Sequence, residues 1–174
     1  MRAIYLRASQ LSIVTFFSLL LVTGCTTQFS PAYDQAVLDN LNASNKDIQT
    51  LFAKIGTGVS MDTFKERKDA YDHIIGELNA LVIQIKARPS PSGAIHITDV
   101  NKMLSGLGVS QVASDPNITE VPSARSVRDE ADSIEKMKSH DEKYGLGGGA
   151  LSSYKTSANA YMTQAITYET FLKR

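Results

Sequence analysis

The feature that most constrains the fold is a repeat of apolar residues that recurs in separate segments of the chain. In the last segment these residues follow one another at alternating steps of 3 and 4 positions. That spacing places them on one face of an α-helix, and such a face must be buried against other helices. The members of this series are Leu151, Tyr154, Ala158, Tyr161, Ala165, Tyr168 and Leu172.

The same spacing predicts three other long helices. Ser30 and Pro31 favour a helix start, because serine is a common N-cap and proline suits the first helical position. The second helix should stop before Pro89, since a proline disfavours helical backbone in the residue that precedes it. The four predicted helices run from Ser30–Pro31 to just before Gly56, from Ser60 to Arg88, from Ser123 to Lys143 and from Ala150 to Lys173.

Residues 89–122 differ from the rest, because proline, serine and glycine recur there. Within them only Thr98–Ser105 has a helical pattern, while Ile95 and Ile97 are also compatible with a short extended piece. The prediction is therefore an all-α fold, an antiparallel four-helix bundle of two helical hairpins joined by a long irregular crossover. An extended coiled coil is the competing use of these repeats. The short apolar seam of each helix and the glycine-rich breaks between the helices disfavour it.

The first residues of the chain have the pattern of a secretion signal. Arg2 and Arg7 give a positive start, and a 12-residue apolar stretch, Leu11–Val22, follows. A membrane span needs about 20 apolar residues, whereas about 10–14 suits the core of a signal peptide. Directly after this stretch comes Val22–Cys25, with the sequence VTGC.

The VTGC sequence resembles the lipobox of bacterial lipoproteins, in which an aliphatic residue, a small residue and Gly or Ala precede a cysteine. The resemblance implies a signal peptide at 1–24, which is removed, and acylation of Cys25 by fatty acids such as palmitate. Residues 25–30 would then be a lipidated tether and residues 31–174 the helical domain. Thr26 is not aspartate, which in that family implies the outer membrane, facing the periplasm, if the cell has two membranes.

The composition narrows the choice of partner. Lys and Arg together number 18, as do Asp and Glu, so the formal net charge is zero. This balance argues against nucleic acid, which requires a basic surface. Cys25 is the only cysteine, so an intramolecular disulfide is excluded.

Two short motifs are similar to catalytic or phosphate-binding motifs, but each lacks the residues that such a site requires. Ser152–Lys155 and Ser133–Lys136 both match S-x-x-K, but the S-D-N and K-T-G partner motifs are missing. Gly145–Gly149, with the sequence GLGGG, follows a predicted helix and lacks the G-K-[ST] ending of a phosphate-binding loop. We therefore expect no enzyme and no cofactor.

The histidines offer weak candidates for metal binding. Asp69, His73 and Glu77 are spaced at i, i+4, so they share one face of the second helix. His140, followed by Asp141 and Glu142, could add ligands if the third helix lies alongside. Ion pairs on a solvated helix face are commonplace, so the expectation is that no metal binds.

The tyrosines of the last helix are the candidates for partner binding. Tyr154, Tyr161 and Tyr168 recur every seven residues, and they suit either the core or a partly exposed strip. The expected function is a non-enzymatic binding, scaffold or accessory protein of the envelope, with a protein partner and a lipid anchor at Cys25. The alternatives are a small metal-binding or envelope-modifying protein that uses the His73 cluster, and a structural lipoprotein without a dedicated partner.

Overall fold

The computed structural model describes residues 31–88, 97–109 and 120–173. These are mostly helical, and their only β pairing is a single bridge between Val59 and Leu146, so the all-α prediction is confirmed. The signal peptide at 1–24, Cys25 and the tether at 25–30 lie outside the described residues. The helices are α1 (Gln35–Ile55), a 3-10 helix (Met61–Glu66), α2 (Lys68–Ala87), α3 (Ile97–Gly106), α4 (Pro122–Tyr144) and α5 (Gly148–Phe171).

Helix α1 begins later than Ser30–Pro31, where the sequence placed its start. Its N-cap is Asp34, whose carboxylate accepts a hydrogen bond from the backbone N–H of Ala36 at 2.9 Å. A carboxylate at this position satisfies one of the free N–H groups of the first turn and interacts well with the helix dipole. The helix ends where predicted, at Gly56, which has a φ of 63° that favours glycine.

Ser60 caps the 3-10 helix rather than the long helix predicted to follow it. The Ser60 hydroxyl accepts from the N–H of Asp62, and α2 then starts only at Lys68. Between the two elements lies Arg67, whose guanidinium donates to the carbonyl oxygens of Thr63 and Ser60 and so holds this tighter turn in place. Helix α2 ends at Ala87, and Arg88 is extended, as expected before a proline.

The crossover segment carries the short helix that the pattern of Thr98–Ser105 predicts, and this helix belongs to the core. Helix α3 starts at Ile97, so Ile97 is helical rather than extended. Its Leu104 is fully buried, and α3 packs against α5. The other residues of the crossover, 89–96 and 110–119, are outside the described ranges.

Helices α4 and α5 lie within two residues of their predicted bounds, and a tight turn joins them. Gly145 in this turn has a φ of 73°, and a Cβ there would lie 2.5 Å from the carbonyl oxygen of Val59. The close approach allows the N–H of Val59 and the N–H of Leu146 each to donate to the other's carbonyl at 2.9 Å. The glycine-rich segment is therefore a turn that is tied to the α1–α2 connection.

The four long helices each pack against two others: α1 with α2 and α5, and α4 with α2 and α5. Near the start of α1, Asn40 donates to Gln84 near the end of α2, and Gln49 of α1 donates to Asn159 of α5. Within the described residues, no helix combines the length and the apolar character needed to cross a bilayer. The largest fully buried apolar side chains are Tyr71, Tyr168, Leu41, Ile48, Leu51, Ile74, Leu78, Ile85, Leu104, Ile134, Met137 and Leu146.

A buried ionic group, here named the Arg67 cluster, consists of Arg67, Tyr71 and Asp141. The guanidinium of Arg67 donates two hydrogen bonds of 2.9 Å to the carboxylate of Asp141, which is fully buried. The Tyr71 hydroxyl donates to the same carboxylate at 3.0 Å. Hydrogen bonding to Asp141 raises the pKa of Arg67, and burial raises the pKa of Tyr71. The cluster thereby joins the start of α2 to the end of α4.

A second ionic group, the Arg88 cluster, consists of Arg88, Ser123 and Glu169. Arg88 donates two hydrogen bonds, of 2.7 and 2.6 Å, to the buried carboxylate of Glu169, which also accepts from the Ser123 hydroxyl at 2.5 Å. Arg88 also donates to the carbonyl oxygen of Ala32 at 3.3 Å. The end of α2, the start of α4, the end of α5 and the segment before α1 therefore meet at one place.

Candidate functional site

A groove lies where α4 ends and α5 begins. It has a volume of about 510 Å³, and its lining includes Tyr144 and His140 of α4 and Tyr154 of α5. Tyr144 is 65% exposed, and Tyr154 is half-buried. An exposed tyrosine offers apolar contact area and a polar hydroxyl together, a combination that is enriched at protein interfaces.

Cationic and ring groups surround Tyr144. The ring of His140, one turn earlier on α4, lies 5.3 Å from the Tyr144 ring at an angle of 55°. The Lys143 ammonium stands 5.1 Å from the centre of the same ring, within range of a cation–π contact. Asp132 and Glu135 also line the groove, so both signs of charge are present. The groove can offer ring faces, hydroxyls and charges to a polar polypeptide surface.

The three tyrosines predicted as a partner-binding strip lie in different environments. Tyr154 lines the groove, and Tyr161 is half-buried one heptad further along α5. Tyr168 is only 1% exposed and lies in the core, which is one of the two environments expected for these tyrosines. Its hydroxyl has no hydrogen-bond partner among the described residues, and burial raises its pKa.

Tyr144 is a residue of this site that sequence reasoning missed. It is the last residue of α4 and stands outside the apolar repeat of that helix, so periodicity gave no reason to select it. The available signal was a run of His140, Lys143 and Tyr144 spaced to share one side of the last turn.

The His73 cluster includes a residue that the single-helix spacing did not predict. His73 Nε2 lies 3.3 Å from Glu77 Oε1 and 3.9 Å from Asp47 Oδ2, which is on α1. One candidate ligand atom from each of these three residues lies within 4.8 Å of the others, and Asp69 is not in this group. The structure therefore joins His73 and Glu77 to Asp47. His140 lies in the groove, and Asp141 is bound in the Arg67 cluster.

Two side chains of the S-x-x-K segment at the start of α5 donate hydrogen bonds to backbone carbonyl oxygens. Ser153 donates to the carbonyl oxygen of Gly149 at 3.2 Å. Lys155 donates to the carbonyl oxygen of Gly56 at 3.4 Å, and its ammonium stands 5.8 Å from the centre of the Phe52 ring. These contacts place the Lys155 ammonium against the end of α1.

Glu130 of α4 is the most unusual titratable residue of the core. It is fully buried, and neither carboxyl oxygen has a hydrogen-bond partner among the described residues. Burial raises the pKa of Glu130 to about 8, because an ionised carboxylate is poorly stabilised away from water. The group is therefore largely protonated at neutral pH. Its position three residues after Val127 and four before Ile134, both core residues, was the signal in the sequence.

Comparison with known proteins gives no relative to this chain: no protein family, no curated protein and no solved structure matches it.

Proposed function

We propose that this chain is a non-enzymatic, lipid-anchored lipoprotein of the bacterial envelope that binds a protein partner through the α4–α5 groove. In a cell with two membranes it belongs on the periplasmic face of the outer membrane. The lipobox-like VTGC sequence supports the anchor at Cys25. The groove with its exposed Tyr144 is the single observation that supports partner binding.

We further propose that the domain is an antiparallel four-helix bundle. The closed set of helix contacts, in which each long helix touches two others, supports this arrangement. The pairing of Asn40 with Gln84 supports opposite directions for α1 and α2, and that of Arg67 with Asp141 does so for α2 and α4. Ser123 with Glu169 supports the same relation between α4 and α5.

In this arrangement the anchor and the groove are at opposite ends. The chain enters the domain beside Ala32, which is bonded to the Arg88 cluster. Tyr144 and Tyr154 are at the other end, beside the turn that contains Leu146. A helix of 21 residues, the length of α1, spans about 30 Å. The short tether would keep the Arg88 end near the bilayer and present the groove to the periplasm.

The groove suits a protein partner better than a small apolar ligand. It is open to solvent, and its lining contains two tyrosines, two acidic side chains and several basic ones. Small-molecule sites are mostly apolar and enclosed, whereas protein interfaces combine aromatic anchors with a polar rim. We expect Tyr144 and Tyr154 to carry most of the binding free energy, because tyrosine is enriched among interface hot spots.

A pull-down from detergent-solubilised membranes, with and without crosslinking, tests this proposal. The wild-type protein should recover a specific partner. Tyr144→Ala and Tyr154→Ala should each lower the recovered amount at least about ten-fold.

The matched control is Ile83→Ala, which removes a 70% exposed apolar side chain from α2, away from the groove. It should leave recovery unchanged. Recovery of only the free protein under every condition would count against a binding function, and equal recovery by all variants would rule out the groove as the binding site.

A further inference from the structure

We propose that Asp47, His73 and Glu77 form a binding site for one zinc ion between α1 and α2. The site is separate from the α4–α5 groove and does not depend on the function proposed above. Two of its residues are on neighbouring turns of α2, and the third comes from the adjacent helix. Because the ligands come from two helices, the site exists only where α1 packs against α2. The spacing of residues within one helix could not predict it.

The distances fit the edges of a zinc coordination shell. Zinc binds imidazole nitrogen and carboxylate oxygen at about 2.0–2.2 Å, which in a tetrahedron separates neighbouring ligand atoms by about 3.3–3.6 Å. His73 Nε2 lies 3.3 Å from Glu77 Oε1 and 3.9 Å from Asp47 Oδ2. The ligand atoms of Asp47 and Glu77 lie within 4.8 Å of each other. Side-chain rotation can bring the three atoms to the spacing of a tetrahedron, since all three side chains are at least one-third exposed.

The charges of the three side chains also balance the charge of a zinc ion. Two carboxylates offset the double charge of the ion, and a neutral imidazole supplies the third ligand atom, the form in which histidine binds metals. Nitrogen and oxygen ligands together favour zinc and similar transition metals over calcium or magnesium, which prefer oxygen alone.

A second, independent observation concerns the other oxygen of Glu77. Glu77 Oε2 is buried and has no hydrogen-bond partner among the described residues. Glu77 lines a cleft of about 200 Å³ between α1 and α2, beside the small side chains of Ala43 and Ala80. A carboxylate that is turned partly away from water is stabilised by a cation at its other oxygen. A zinc ion at Oε1 would supply that charge.

Three protein ligands leave the fourth position of zinc open to water. Zinc sites that only support the fold usually have four protein ligands, whereas three with an open position are typical of reactive or exchangeable sites. The His73 side chain is 61% exposed, so the ion can enter and leave without unfolding the domain. Because the ion joins α1 to α2, zinc should also raise the melting temperature.

Calorimetric titration of the full-length, chelator-treated protein in detergent with zinc chloride tests the proposal. We expect one zinc ion per chain and a higher melting temperature with zinc. Asp47→Asn and His73→Ala should each weaken zinc binding by more than about ten-fold, since the first removes the charge of a ligand and the second removes the ligand itself. Circular dichroism of each variant without zinc checks that it folds like the wild type.

Two matched controls separate this site from its neighbours. Asp69→Asn alters the carboxylate one turn before His73 on the same helix, and His140→Ala alters a histidine in the groove. Both should bind zinc like the wild type. Absence of stoichiometric binding by the wild type would show surface ion pairs only and overturn the proposal. Unchanged binding by Asp47→Asn, or a loss caused by Asp69→Asn, would overturn this ligand set.

Discussion

Replacing Glu130 with methionine is expected to stabilise the protein, and the gain should widen by about 3–4 kcal/mol between pH 5 and pH 8. The reason is that Glu130 is buried without a hydrogen-bond partner among the described residues, and its pKa is raised from 4.5 to about 8. Methionine has a similar length, is apolar and adapts to its surroundings.

The sign follows from proton binding in the two states. Between pH 4.5 and about pH 8 the unfolded chain releases the Glu130 proton, while the folded protein keeps it. The folded state binds more protons over this range, so raising the pH favours unfolding. Below pH 4.5 both states are protonated, and this source of destabilisation disappears.

Urea unfolding of the wild type and Glu130→Met at several pH values gives the difference in unfolding free energy, in which other titrating groups largely cancel. Glu135→Met is the control, because Glu135 is an exposed glutamate on the same helix. It should show no comparable pH-dependent gain. If the free energy of unfolding depends on pH in the same way for the wild type and for Glu130→Met, then the Glu130 carboxyl is not held protonated in the core.

Removing one partner of the Arg67 cluster should destabilise the protein by about 3–5 kcal/mol. Arg67→Met leaves the fully buried Asp141 carboxylate with the Tyr71 hydroxyl as its remaining donor among the described side chains. An uncompensated buried charge is costly, because the low-polarity interior cannot replace the water that solvated it. Urea unfolding at pH 7 measures the loss.

The double variant Arg67→Met/Asp141→Leu should recover much of this loss, since an apolar pair of similar volume needs no charge compensation. Lys68→Met provides the control, because Lys68 and Asp72 form an exposed i, i+4 pair on the same helix. Its effect should be below about 1 kcal/mol. A loss of similar size for Arg67→Met and Lys68→Met would mean that the Arg67 cluster is not a buried, tightly coupled pair.

The helices were predictable because their signals are local. An apolar repeat at helical spacing, Gly56 after α1 and Pro89 after α2 depend only on neighbours along the chain. The starts of α1 and α2 were missed for two different reasons. Asp34 caps α1 in place of Ser30, and the contacts of Arg67 stabilise a 3-10 turn before α2. The latter depends on Asp141, which is 74 residues away in sequence.

The candidate sites were less predictable because they combine residues from different helices. Asp47 meets His73 only because α1 packs against α2, and Tyr144 meets Tyr154 only because a turn folds α5 back along α4. Glu130 is the exception, since its spacing from Val127 and Ile134 already placed it on the buried face. The burial of Glu130 was nevertheless not predicted, because a glutamate is rarely fully buried.

The central claim, a lipid anchor at Cys25, is tested most directly by the fractionation of a Cys25→Ser variant. In the wild type, the sulfur of Cys25 is the atom that would be acylated, and serine retains the shape of the side chain without the thiol. Immunoblots of membrane and soluble fractions should show an unprocessed or mislocalised precursor for the variant, whereas the wild type should be processed and remain with the membranes. A Cys25→Ser variant that is processed and fractionates like the wild type would contradict the lipoprotein assignment.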